Sequence, residues 1–162
     1  MFNKGRKREM KQIMTVVKTF LALTLCLASC NGNNSSRSQS SEESIIIAKE
    51  IIRNVVYTEN QSCPVDFHNG IIVESANYDY GGNVISYNYL ITSFNNSTNI
   101  KIKEGILNMI KSSYIANPLS ISFWDAIIET ETKVIYNYYT KNGENRNIEI
   151  LSSEIELFIH SK

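Results

Sequence analysis

The chain predicts one α+β domain: an antiparallel sheet of about four strands with helices on one face, in the order helix–hairpin–helix–hairpin. Three observations carry this. Apolar residues recur at helical spacing in two stretches, about 42–56 and 101–115. Each is followed by Tyr- and Ile-rich alternating sequence, interrupted by Gly81-Gly82 in the first case and Asn142-Gly143 in the second. The span 42–160, about 120 residues, suffices for one modest core and no more.

The elements follow in order. Ser40 with Glu43 reads as a capping box, and Ala48, Ile51, Ile52, Val55 and Val56 form the apolar stripe of a first helix over about 42–56. Cys63-Pro64 and His68-Asn69-Gly70 punctuate the chain. Residues 71–79 and 84–93, rich in β-branched and aromatic types, then read as a hairpin closed at Gly81-Gly82. The run 95–99 is a loop. Ile102, Ile106, Met109 and Ile110 line one face of a second helix over about 101–115, stopped by Asn117-Pro118. Phe123, Ile127 and Ile128 sit at helical spacing, so 119–129 reads as a short helix.

Residues 132–140 and 145–151 form a second hairpin, with Asn142-Gly143 the signal for a type I′ turn. Ile155 to Ile159 makes a final strand or helical turn. The strings VISYNY (84–89) and KVIYNY (133–138) align around a shared Tyr-Asn-Tyr, which raises an internal αββ duplication. Tyr87 and Tyr89 with Ile85, and Tyr136 and Tyr138 with Val134, should face the helices, leaving Ser86, Asn88 and Asn137 on the other side.

The N-terminal 29 residues belong to no fold. A basic stretch (Lys4, Arg6, Lys7, Arg8, Lys11, Lys18) precedes an uncharged run from Thr19 to Leu27, then Ala28-Ser29-Cys30. A basic start, a short apolar run and small residues before the cut are the parts of a secretory signal. Met10 or Met14 as the true start would leave that pattern intact. The run is too short to span a bilayer, which takes about 20 apolar residues. Leu27-Ala28-Ser29-Cys30 resembles the lipobox of bacterial lipoproteins. That resemblance implies cleavage of residues 1–29, diacylglycerol on the Cys30 sulfur, an acylated new N-terminus and membrane association through those chains. Residues 30–41, NGNNSSRSQSS after Cys30, have no large apolar side chain and read as a tether. Its eleven polar residues span roughly 20 Å root-mean-square.

Removing the signal changes the charge. The chain has 16 basic and 16 acidic residues; residues 1–29 take six of the former and one of the latter, leaving 10 against 15, a net charge of −5. No basic cluster remains, so nucleic-acid binding has no electrostatic footprint. Of the three cysteines, Cys26 leaves with the signal and Cys30 carries lipid. Cys63 is left either as an inert buried thiol or as one half of an intermolecular disulfide.

Chain segments around the two tyrosine strings resemble a group of uncharacterised small bacterial proteins, many of them Bacteroidota lipoproteins. The matching residues are Cys63-Pro64 with Asp66, Tyr87/Tyr89, Tyr136/Tyr138 and Gly143. The resemblance covers about residues 50–150 and implies an architecture, not an activity. A second cysteine late in the second helix is common in that group; this chain has Tyr114-Ile115-Ala116 there, so the disulfide it would make with Cys63 is lost. Acids directly after the lipidated cysteine accompany surface export in Bacteroidota lipoproteins. Here Glu42 and Glu43 come twelve residues on, which favours a periplasm-facing location in the cell envelope.

Catalytic patterns are thin. Cys63, Asp66 and His68 fall within six residues and form the one nucleophile–base combination, the alternative of an envelope enzyme using Cys63 and His68. Asp125, Glu129 and Glu131 offer carboxylates, more simply read as solvent-facing acids. Two histidines and one thiol are too few for a zinc site, and neither GxxxxGK[ST] nor GxGxxG occurs, so no cofactor is expected. The expectation is a non-enzymatic binding module, of which an immunity or inhibitor protein against an envelope-directed toxin or hydrolase is one form. Its anchors for a protein partner would be Trp124, Tyr139 and Tyr80, with the core as the competing place for Trp124.

Overall fold

The computed structural model describes residues 41–68, 70–94 and 98–161. The signal segment, Cys30, the expected tether up to Ser40 of the expected capping box, and most of the 95–99 loop lie outside the described residues; Ser41, the last residue of the expected tether, is helical.

Helix α1 (Ser41–Gln61) buries Ala48, Ile52, Val56 and Glu59 along one stripe. It runs five residues past the expected end, because its polar last turn is anchored residue by residue. Glu59 accepts a hydrogen bond from Tyr87, and Asn60 Oδ1 accepts the Ala76 N–H at 3.1 Å. Strand β1 (Val65–Asp66) pairs with β2 (Ile71–Asp79), which forms a hairpin with β3 (Val84–Ile91). The Gly81-Gly82 turn is held by Asp79, whose Oδ1 accepts both glycine N–H groups at 3.1 and 3.0 Å. A Cβ at Gly82 would lie 2.4 Å from Asp79 Oδ2, so a larger residue there would displace the carboxylate that holds the turn.

Thr98 caps helix α2 (Asn99–Ala116), and Asn117 then starts helix α3 (Pro118–Glu129) with its side chain on the Leu119 N–H and proline at the first helical position. The apolar spacing over 119–129 does mark a helix. Strands β4 (Lys133–Thr140) and β5 (Asn145–Ile150) form the second hairpin, and α4 (Ser152–His160) closes the chain. The open alternative over 155–159 is settled as helix, with Ile155 and Ile159 buried four residues apart. The hairpin turn is not type I′. Gly143 has φ +86, but Asn142 is not among the positive-φ residues, and Thr140 O accepts from Gly143 N at 3.0 Å. The glycine alone carries the left-handed conformation, as in a three-residue loop with a glycine bulge.

The sheet order is β1-β2-β3-β4-β5, open and mixed. Two points depart from the expected four-stranded antiparallel sheet. A fifth strand exists, two residues long and too short to show a period. More importantly, β3 and β4 are parallel. Hairpin signals fix direction only within each hairpin. Between the hairpins, the chain leaves the end of β3 and returns through α2 and α3, a crossover of the kind that parallel strands require. Asn83, at the start of β3, ties the return: Lys133 N donates to its carbonyl at 3.2 Å, Thr132 Oγ1 to its Oδ1 at 2.7 Å, and its Nδ2 donates to Thr130 O.

The two Tyr-Asn-Tyr strings therefore lie side by side, Tyr87 opposite Tyr136, Asn88 opposite Asn137 and Tyr89 opposite Tyr138. They belong to the second strand of one hairpin and the first strand of the next, so they are not equivalent positions of a repeated αββ unit. Their likeness goes with a shared place at the centre of the sheet, not with duplication.

One core unites the buried residues of all four helices with Val73, Ala76, Ile85, Tyr87, Tyr89, Val134, Tyr136, Ile148 and Ile150 of the strands. The helices therefore pack on a single face, as the alternation of the strands implies. On that face the four tyrosines stack in a zigzag, with centroid separations of 5.4 Å (Tyr87–Tyr136), 6.1 Å (Tyr89–Tyr136) and 4.9 Å (Tyr89–Tyr138).

Candidate functional site

Two features stand out: a buried carboxyl on α1 and the face of the sheet that no described helix covers.

Glu59 follows Val56 by three residues and Ile52 by seven, so it falls on the apolar stripe of α1 and points into the core, 2% exposed. Tyr87 Oη donates to its Oε2 at 2.7 Å. Burial drives the carboxyl up to about 7, offset in part by that hydrogen bond. Burial also pushes Tyr87 well above its ordinary value, with Glu59 adding to the effect, and raises Tyr89, Tyr136 and Tyr138. No described buried side-chain nitrogen or oxygen lacks a hydrogen-bond partner, so the interior polar groups are satisfied. The sequence reading passed over Glu59, although its position on the stripe was the available signal. A substrate reaches this carboxyl only if α1 moves, so its role is internal.

Cys63 is half-buried at the end of α1, and its thiol donates to Glu59 O at 3.5 Å. Burial, and then the Glu59 charge, push the thiol upward, away from thiolate. His68 points to solvent, its side chain 90% exposed and 3.7 Å from Asp66, whose Oδ1 also accepts the His68 N–H. The thiol faces inward and the imidazole outward, which removes the Cys63/His68 pair as an activated nucleophile. Asp125, Glu129 and Glu131 are exposed. Asp125 accepts the Tyr114 hydroxyl proton at 3.0 Å and, with Glu129, borders a shallow cavity of about 290 Å³ between α1 and α3 floored by Ile47, Ala48, Ile51 and Ala126. Among the described residues, no group of three or more His, Cys, Asp or Glu side chains is placed to hold a metal ion.

The three aromatic candidates part company. Trp124 is 3% exposed in the core, edge-on to Phe123 and donating from Nε1 to Ser113 Oγ at 3.1 Å. It cannot serve as a surface anchor, because the apolar face of α3 is covered by the rest of the core. Tyr80 is 41% exposed at the first hairpin tip, with Lys49 Nζ 4.9 Å from its ring centre. Tyr139 is half-buried on the uncovered face of the sheet, its hydroxyl bonded to Glu74.

That face carries a transverse row built by register. Ser75 lies opposite Asn88, Asn88 opposite Asn137, and Asn137 opposite Asn147. Asn137 Nδ2 donates to Asn88 Oδ1 at 3.0 Å, and Asn88 Nδ2 to Ser75 Oγ at 2.8 Å. A bulge between Val73 and Ser75 turns Glu74 outward beside Ser75 and brings it to Tyr139. Lys133 and Glu149 pair across the neighbouring strands at 3.4 Å. The Ser75–Asn88–Asn137 part of the row is thus tied by its own hydrogen bonds, and the half-buried Val84, Leu90 and Ile135 share the face.

These features define an α+β domain with an open mixed sheet covered on one side. No protein-family model, no curated protein and no solved structure matches the chain. No described helix is long and apolar enough to cross a membrane.

Proposed function

We propose that the protein is a lipid-anchored, periplasm-facing component of the cell envelope, held by Cys30, and that its domain is a non-enzymatic binding module related to the small bacterial lipoproteins it resembles. The anchoring rests on the Leu27-Ala28-Ser29-Cys30 sequence, the basic segment before it and the polar tether behind it. The binding role rests on one observation, the uncovered sheet face with its preorganised Ser75–Asn88–Asn137–Asn147 row and Tyr139. Tyr, Ser and Asn are the residue types that make adaptable binding surfaces: the ring gives area at low entropic cost, and the amides give hydrogen bonds. The net charge of −5 left after removal of residues 1–29 steers the domain toward a basic protein partner.

The test is a photo-crosslinking amino acid placed at Asn147, exposed on this face, and separately at Leu157, exposed on α4. Partner adducts from position 147 and not from 157, in cells expressing the full chain, support the reading. Identical adduct patterns at both positions, or none at 147, overturn it.

A further inference from the structure

The exposed apolar residues of the domain are mostly scattered, but three are consecutive: Ile45, Ile46 and Ile47, at 40%, 56% and 43% exposure. Successive helical positions are about 100° apart, so three in a row cover more than half of the helix circumference. No single neighbouring element can bury all of them. The next residue, Ala48, is 3% exposed, so α1 enters the core there; Ser44 and Ile47 border α3 across the shallow cavity, and the other sides of this N-terminal turn, with Ile45 and Ile46, overhang the domain. Contiguous exposed apolar surface of this kind marks a contact site.

We propose that this overhang contacts the phospholipid bilayer and seats the domain on the membrane surface beside its lipid anchor. The inference rests on the lipid-anchored reading. The overhang is where the tether arrives: only Asn31 to Ser41 separate it from Cys30, a reach of roughly 20 Å. The isoleucines are thereby confined next to the bilayer, at an effective concentration on the order of millimolar. An apolar helix surface of this size settles at the boundary between headgroups and acyl chains rather than spanning. A bilayer surface also surrounds the turn on all the sides that a single protein face would leave open. A second copy packed on the same end would bring the acidic first turns, Glu42 and Glu43, against each other.

The experiment uses the full lipidated chain carrying Cys63→Ser, with a fluorophore on Ile46→Cys or, as control, on Leu157→Cys, which is 75% exposed on α4. The vesicles are of phosphatidylethanolamine and phosphatidylcholine with a nitroxide-labelled lipid, and palmitate incorporation is measured on the same samples. The position-46 label is expected to be quenched several-fold more by the lipid-borne nitroxide than the position-157 label, and several-fold less by aqueous iodide. Equal quenching at both positions, with palmitate present, overturns the contact and leaves the anchor standing. Shielding from iodide without lipid quenching, growing with protein density, means a second copy covers the isoleucines and also overturns it. Absence of palmitate overturns the anchor and the contact together.

Discussion

Substituting Glu59→Gln should remove most of the pH dependence of this domain's stability between pH 5 and 8. The carboxyl titrates at about 7 when folded, against an ordinary 4.5, because burial penalises the anion. An acid whose folded value is raised holds a proton that the unfolded chain has released, so stability falls as pH rises from about 4.5 and levels off above about 7. At 1.36 kcal/mol per unit, the wild-type loss across that window is roughly 3 kcal/mol. Glutamine keeps an acceptor for the Tyr87 hydroxyl at the same place but never ionises. The two proteins should match near pH 5, and the glutamine variant should be the more stable by up to roughly 3 kcal/mol at pH 8. Urea unfolding, followed by circular dichroism at pH 5, 6, 7 and 8 with m-values compared, measures this. Parallel stability curves for the two proteins would refute the reasoning, since the slope would then come from groups other than Glu59.

Tyr87→Phe leaves the carboxyl without its donor; it should cost about 1–3 kcal/mol at pH 6, seen as a lower urea midpoint with unchanged m. Asn83→Ala removes the acceptor for Tyr78 and Thr132 and the donor to Thr130 O. It should cost on the order of 2–4 kcal/mol by thermal or urea unfolding, more than Asn88→Ala. Gly70→Ala should destabilise more than Gly143→Ala. Both have positive φ, but a Cβ at Gly70 would lie 2.6 Å from Thr92 Oγ1, whereas Gly143 has open space. The open site costs about 1 kcal/mol and the crowded one more, readable from thermal melts of the pair. Trp124→Ala should cost about 3–5 kcal/mol by the same melts, as a core truncation, and any loss of partner capture should track unfolding rather than a missing contact.

Local structure was written plainly in the chain. Period and turn chemistry placed helices at about 42–56, 101–115 and 119–129 and strands on either side of Gly81-Gly82 and Asn142-Gly143, because each depends on neighbours a few residues away; the last turn of α1, Tyr57 to Gln61, was missed. The tyrosines were correctly assigned to the covered face for the same reason. Direction across the β3–β4 boundary was not legible, since it depends on where the α2–α3 crossover returns, and that is set by Asn83 reaching Thr130, Thr132 and Lys133 some fifty residues on. Strand β1 was too short to show a period. On the candidate face, Asn88 and Asn137 could be sorted to the outside, but their alignment with Ser75 and Asn147 follows from the register. Trp124 illustrates the limit of single-residue reasoning: a lone tryptophan on a helix fits a core more often than an interface, and only the placement of its neighbours decides.

The paired strings at the centre of the sheet carry a degeneracy that the fold must break. Because side chains alternate with a period of two, sliding β4 by two residues would set Tyr136 opposite Tyr89 and still keep the four tyrosines of the two strings on the covered side. Hydrophobic pattern alone therefore gives little preference between the two alignments. What differs is the polar bonding: the slipped arrangement separates Asn137 from Asn88 and moves Thr132 and Lys133 away from Asn83. The uniqueness of this architecture thus depends less on its aromatic interior than on a few asparagines, with Asn83 choosing the alignment in which the two strands lock.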